Sequence, residues 1–202
     1  MTVRVVLATR NGGKVAELRR ILAHLEVDLV GTDAFPDLGD VAETGASFVE
    51  NALIKAHAVA AATGLPAVAD DSGLCVDALN GMPGVLSARW AGRHGDDAAN
   101  LELVLGQLAE LPDERRSARF TCAAAIALPS GADLVVEESL YGRLIREPRG
   151  TGGFGYDPIF VPEGESRTTA EMTAAEKDAI SHRGLAFRAL ARELPAVLAP
   201  ES

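Results

Sequence analysis

Short apolar runs alternate with segments of helical spacing along most of this chain. Residues 3–8 (VRVVLA) read as a buried strand, because only Arg4 interrupts the run. Val15, Leu18, Ile21, Leu22 and Leu25 then recur every three or four residues, which places them on one face of a helix. Residues 27–31 (VDLVG) form a second short strand, and a strand–helix–strand order of this kind predicts a parallel pair. The following loop, residues 32–45, is polar and acidic.

Ser47 and Glu50 have the spacing of a capping box. The hydroxyl accepts from the Glu50 amide, and the carboxylate reaches back to the serine amide. A long alanine-rich helix is expected to follow and to stop at Gly64 and Pro66. Residues 67–69 read as a strand that runs into "DDSG", so that two carboxylates leave its C-terminal end. Residues 75–79, the "NGMPG" turn and residues 85–90 predict a small β-element. Asp96 is placed to cap a helix over residues 97–111, closed by Pro112. "ARFTCAAAIAL" and "DLVVEESLYGRLI" flank "PSGA" as strand, turn and strand. Thr173 and Glu176 make a second capping box ahead of helical spacing at Leu185, Leu190 and Leu194. The sum is an α/β fold with a mixed, twisted sheet, whose middle section forms a β-rich second lobe.

Composition narrows the options. The 202 residues suit a single domain, 1–202, built as two lobes. Hydrophobic content of 48% supports a sizeable core, while aromatics at 4% leave Ala, Val and Leu to fill it. Each aromatic residue is therefore more informative than usual about a site. A net charge of −10 argues against nucleic-acid or membrane-surface binding, which call for clustered positive charge. A local basic pocket would still suit a small phosphorylated ligand arriving with a divalent cation. No apolar run reaches membrane-spanning length, and "MTVRVVLATRN" is too soon interrupted for a signal peptide. Cys75 and Cys122 read as buried small hydrophobes of a reduced, cytoplasmic protein.

Four polar segments carry candidate chemistry. "LATRNGGKVAEL" turns from strand to helix without the spacing of a P-loop or of GxGxxG. Unpaired amides at the helix start and the Lys14 charge still favour an anion there. Gly12 and Gly13 allow close approach, and Thr9 and Asn11 add uncharged donors. A plain connection between elements is the alternative. In "AVADDSGL", two adjacent acids at a strand end offer hard oxygens suited to Mg²⁺, or else one of them closes an Asx-turn. Glu43 and Glu50 are further acids, Glu50 with its cap to serve.

"GTGGFGYDPIF" presents Phe154 on a glycine-rich loop, a form suited to stacking on a flat ring, and Asp157 could accept from ring or exocyclic nitrogens. Alternatively Phe154 and Tyr156 plug the sheet edge. "KDAISHRG" gathers Lys177, Ser181, His182 and Arg183 in a break between helical segments, which taken alone reads as a solvated helix end. No GxSxG elbow supports a serine nucleophile.

Five stretches, "ATRNGGKVAEL", "ETGASFVENALIKA", "ADDSGLCVDALNGMPGVLSARWAG", "GTGGFGYDPIF" and "KDAISHRGLAF", together resemble the inosine triphosphate pyrophosphatase family in content and order. The resemblance spans nearly the whole chain. It implies an elongated mixed sheet flanked by helices, two lobes with a central cleft, a homodimer and Mg²⁺. It also implies hydrolysis of ITP, dITP and XTP to the monophosphate and pyrophosphate. Carried over by position, Thr9, Arg10, Asn11, Gly12, Gly13 and Lys14 line the triphosphate, with Lys55 assisting. Asp71 becomes the catalytic carboxylate and metal contact, and Ser72 a substrate contact. Phe154 stacks on the base beside Gly155, Tyr156 and Asp157, while Lys177, His182 and Arg183 read the 6-oxo purine.

Two departures stand out. Arg10 occupies a place where the family often has glycine, and Ala42 one where some members carry an acidic metal ligand, leaving Glu43 as the nearest substitute. A nucleotide pyrophosphatase of broader base preference, or a nucleotide-binding module without turnover, are the competing readings.

Overall fold

The computed structural model describes residues 3–23 and 27–198, so the helical position expected at Leu25 lies outside the described residues. In chain order the elements are β1 (Val3–Leu7), α1 (Gly12–Ile21), β2 (Val27–Gly31), α2 (Phe48–Thr63), β3 (Ala67–Val76), α3 (Asp97–Gln107), β4 (Ser117–Ala127), β5 (Asp133–Leu144), β6 (Phe160–Pro162), α4 (Ala174–Ile180) and α5 (His182–Val197). The strands form one mixed six-stranded sheet in the order β2-β1-β3-β4-β5-β6. β1 runs parallel to both β2 and β3, as the opening strand–helix–strand pattern requires, and β5 pairs antiparallel with β6. The α/β class and mixed sheet expected from the sequence are present.

The chain divides into two compact units. The first comprises Met1–Asp71, Cys122–Glu138 and Arg183–Ser202, and the second Ser72–Thr121 and Ser139–His182. In the first, alternate residues of the central strands (Val5, Leu7, Val68, Cys122, Ala124, Ile126) share a core with Leu18, Ile21 and Leu22 of α1 and Phe187, Leu190 and Leu194 of α5. The residues between them, Val6, Ala67, Ala69, Ala123 and Ala125, are equally buried, so both faces of these central strands are covered.

The second unit has its own core. Leu74 and Val76 of β3, Leu101 and Val104 of α3, Phe120, Leu144, Ile159 and Phe160 pack together. Arg116 is fully buried beside them. Its guanidinium donates to the carbonyls of Leu108, Leu144 and Ile145, so the charge is solvated by backbone dipoles, not by a carboxylate. Both cysteines are buried thiols, as expected.

The structure corrects several local expectations. β3 does not end before "DDSG" but continues through it to Val76, since Leu74, Cys75 and Val76 supply further buried apolar positions. Asp70 and Asp71 thus lie within a strand, and neither closes a turn at its end. Residues 84–89 form a 3₁₀ turn in place of a strand. There the Ser87 hydroxyl donates to the Gly84 carbonyl and accepts from the Leu74 amide, local bonds that replace a ladder. α3 stops at Gln107, short of Leu111; the carbonyl of the next residue, Leu108, is the one that accepts from Arg116. At the start of α2, Ser47 caps the Glu50 amide, but Glu50 accepts from Ala46 instead of Ser47. The Thr173–Glu176 box is formed in full.

Candidate active site

In the first unit, the turn after β1 delivers a helix start into open surroundings. Asn11 is the N-cap of α1, and its side-chain oxygen accepts from the Lys14 amide at 3.1 Å. The Asn11 amide in turn donates to the Thr9 hydroxyl at 3.3 Å. No acidic residue occupies the first helical turn, so the dipole there is left to attract an external anion. Gly12 and Gly13 are exposed, and a side chain added at Gly12 would meet nothing within 4 Å. Thr9 and Arg10 also border a hollow of about 370 Å³ lined on its far side by Thr32, Asp33 and Phe35. Arg10 itself reaches back to Asp40 and the Leu38 carbonyl, so it steadies the acidic loop.

Behind this loop the two acids of "DD" part company. Successive strand side chains point to opposite faces. Asp70 shares the face of Val68, covered by α1 and α5, and accepts from Lys14 Nζ at 2.9 Å and from Arg183 Nε at 3.3 Å. Arg183 is also paired with Glu17 of α1. Burial would push the Asp70 carboxyl up, but Lys14, Arg183 and Lys55 outweigh it and hold the group well below the ordinary carboxylate range.

Asp71 faces α2. Its Oδ2 accepts from Asn51 Nδ2 at 3.1 Å, and its Oδ1 from Lys55 Nζ at 3.2 Å. Asn51 and Lys55 lie one turn apart on the same helix face, the spacing that lets both reach one carboxylate. Lys55 Nζ also donates to Glu43 Oε1 at 2.7 Å. Asn51 Oδ1 accepts from the Gly45 amide at 2.8 Å, so one buried side chain ties the loop carrying Glu43 to the carboxylate of Asp71. Burial raises the Asp71 pKa despite Lys55 and Lys14, with Glu43 adding to the rise. Burial lowers that of Lys55, yet Asp70, Asp71 and Glu43 turn the net shift upward.

These residues fit a hard divalent cation. Glu43 and Asp71 already converge on one positive charge, the Lys55 ammonium. The four carboxylates of Glu17, Glu43, Asp70 and Asp71 exceed the three cations Lys14, Lys55 and Arg183 by one. Among the described residues no group of three or more His, Cys, Asp and Glu is placed to hold a metal ion by itself.

The second unit holds the aromatic loop. Phe154 is half-buried, with Lys177 Nζ 4.9 Å from its ring centroid. Lys177 is itself buried and donates to Asp157 Oδ2 at 2.7 Å. The bland reading of "KDAISHRG" as a solvated helix end therefore fails: Lys177, Ser181, His182 and Arg183 are all buried. The His182 ring stacks on Phe120 at 4.9 Å and 14°. Ser72 is half-buried within β3. The glycine after it is required by packing, since any Cβ at Gly73 would collide with the Gly84 carbonyl and the Ser87 hydroxyl.

Three residues carried over by resemblance have partners within the chain, and Asp157 is one. It accepts from the Phe154 amide, Lys177 and Thr169, and so pins the loop. Tyr156 is buried with its hydroxyl donating to the Ser87 carbonyl at 2.9 Å, and burial, with Asp97, raises its pKa. Arg183 belongs to the first unit, and its guanidinium is taken up by Glu17 and Asp70. It ties α5 to α1 and β3. Gly155 donates its amide to Asp97 at 2.8 Å. The sequence reading missed Glu17, Asn51, Asp97 and Thr169. Nothing in the local sequence around these residues marks them as site residues.

Fold and site together describe an α/β protein with an anion-attracting helix start, a buried carboxylate–lysine centre and an aromatic loop backed by a buried lysine. The chain belongs to the Ham1 family, whose model matches residues 5–193. A protein of Streptomyces coelicolor named dITP/XTP pyrophosphatase is 68% identical, covering 93% of this chain and 94% of its own length. The crystal structure of a nucleoside-triphosphatase / dITP/XTP pyrophosphatase from Mycobacterium abscessus is 57% identical, with a TM-score of 0.77, over 93% of this chain and 98% of that one. A HAM1 protein from Coxiella burnetii superposes with a TM-score of 0.88 at 45% identity, over 96% and 100% of the two chains. Among the described residues no helix is long and apolar enough to cross a membrane.

Proposed function

We propose that this chain is a nucleoside triphosphate pyrophosphohydrolase that converts dITP, XTP and ITP to the monophosphate and pyrophosphate. The observation that carries the reading is the Asp71 carboxylate, buried, raised in pKa, and held between Asn51 and Lys55 beside Glu43. A group that only binds phosphate gains nothing from a carboxylate whose proton affinity is tuned upward. A general base does. The names of the relatives supply the substrate class.

In this reading Thr9, Asn11 and the amides of Gly12 and Gly13 receive the phosphates at the start of α1. Lys14 has one of its three donors on Asp70 and turns another to a phosphate oxygen. Asp71 accepts a proton from the water that attacks the α-phosphorus; the bond to the bridging oxygen breaks and pyrophosphate leaves. Lys14 and Lys55 stabilise the charge that develops on that oxygen. Asp71 and Glu43 are the residues that would hold Mg²⁺, which when bound supplies Lewis-acid stabilisation of the leaving phosphates.

For the base, Phe154 provides the stacking face. Lys177, held at a fixed place by Asp157, donates to an acceptor oxygen at position 6 of the purine, beside His182. Adenine presents an amino donor there and leaves the ammonium unmatched. Ser72 adds a substrate contact. We further propose a homodimer in the cytoplasm, on the family resemblance. A kinetic panel of purine triphosphates with Mg²⁺, scored for pyrophosphate against phosphate, tests the function. Equal kcat/KM for ATP and ITP would sink the base assignment, and binding without Mg²⁺-dependent pyrophosphate release would make the chain a binding module.

A further inference from the structure

The glycine-rich loop of the second unit rests on a segment that has no place in the chemistry so far, residues 168–170. All three residues are buried. Gly150 lies so close that a Cβ there would sit 2.5 Å from the Ala170 carbonyl carbon. The Gly152 amide donates to the Ala170 carbonyl at 3.0 Å, and the Thr168 hydroxyl to the Arg149 carbonyl at 2.8 Å. These contacts fix the backbone of the loop. The Thr169 hydroxyl does something different. It lies 2.8 Å from Asp157 Oδ1 and 3.2 Å from the Asp157 carbonyl, and the shorter, charge-assisted bond to the carboxylate is the stronger.

Asp157 has two oxygens with separate tasks. Oδ2 accepts from Lys177 and from the Phe154 amide, while Oδ1 accepts from Thr169. The Asp157 carboxylate is thus held from both ends, and the Thr169 bond on Oδ1 adds to the restraint on its rotation that the donors to Oδ2 supply. Thr169 thereby sets the plane of the Asp157 carboxylate, and that plane sets where the Lys177 ammonium stands over the Phe154 ring.

We propose that Thr169, without touching substrate, is a positioning residue for base selectivity: its hydroxyl orients Asp157, which holds Lys177 where a 6-oxo purine is recognised. The inference rests on the reading that Lys177 donates to the base. A purely structural Thr169 would affect melting temperature alone, whereas a positioning Thr169 also affects the preference between ITP and ATP.

The test compares wild type with Thr169→Val, which keeps the shape and removes the donor, and Thr169→Ser, which restores it. The expected result is a drop of about tenfold in the ITP-to-ATP ratio of kcat/KM for Val, carried mainly by KM for ITP, and a ratio near wild type for Ser. If Thr169→Val is insoluble, Thr169→Ala takes its place. The same ratio is measured without turnover as the relative Kd of IMP and AMP by calorimetry. A wild-type ratio in the Val or Ala variant, or a Ser variant as impaired as Val, overturns the inference. Wild-type protein that releases no pyrophosphate overturns the hydrolase reading instead, and the IMP-to-AMP ratio then still decides the part played by Thr169.

Discussion

Asp70 and Asp71 are adjacent in sequence, yet they serve opposite faces of β3 and different cations. Asp70 meets Lys14 and Arg183, and Asp71 meets Lys55 and Asn51. One acid is held charged well below the ordinary carboxylate range, while burial raises the pKa of the other. The period of the strand assigns the two roles.

Asp71→Asn is expected to lower kcat for pyrophosphate release by about 10²–10⁴-fold, the usual weight of a general base. The circular dichroism spectrum should be unchanged, because burial already disfavours this charge and Lys55 keeps Glu43 as partner. Near-normal turnover would remove Asp71 from the catalytic role.

Arg183→Met should be costly to the fold itself. It leaves Glu17 and Asp70 without the guanidinium that joins them in a buried site, a loss of about 3–5 kcal/mol for a broken buried pair. Lysine should not rescue it, since one ammonium does not reproduce the fork. Urea denaturation measures the difference; a stability loss under about 1 kcal/mol, the range of an exposed ion pair, contradicts the assignment as an anchor.

Phe154→Ala should raise KM for ITP about tenfold to a hundredfold with a smaller change in kcat, the range expected when a stacking ring is lost. Lys177→Met should instead narrow the gap between ITP and ATP. If the two variants behave alike, stacking and base reading are not separate functions of this loop.

The second capping box gives a pH prediction. The Thr173 amide, the Thr173 hydroxyl and Arg167 hold the Glu176 pKa down, to about 2 from 4.5. A depressed carboxylate contributes stability that is fully present above its unfolded pKa and is lost as pH falls through the folded one. The contribution therefore disappears between about pH 4.5 and pH 2. Glu176→Gln should lower Tm at pH 7 and leave Tm near wild type at pH 2. Equal Tm differences at both pH values would show that the charge is not the stabilising feature.

Gly73→Ala should destabilise by about 1–3 kcal/mol, as overpacking does, because the added methyl strikes the Gly84 carbonyl and the Ser87 hydroxyl. Thermal melting decides it.

Much of the framework was legible from the residues alone. The parallel pair of β1 and β2, the stop of α2 and the caps at Ser47, Asp96 and Thr173 follow from short-range patterns in the sequence. Lys14, Asp71, Phe154 and Lys177 were visible as polar or aromatic residues on glycine-marked turns. Glu17, Asn51 and Thr169 were not. Their partners lie 166, 20 and 12 residues away, and nothing in their own surroundings announces a bond.

By itself the sequence determined where α2, α3 and α4 begin and where α2 stops, which residues are apolar enough to be buried, and the presence of an anion-attracting helix start. Those are consequences of periodicity, capping and charge, which act over one or two turns. Only the tertiary structure decided that β3 runs on through "DDSG", that its two acids face different helices, and that Arg183 serves Asp70 while Asp157 serves Lys177. A buried charge goes to whichever opposite charge the packing brings within about 3–4 Å, because leaving it unpaired costs several kcal/mol. That choice is made by distance in space, and distance along the chain carries no record of it.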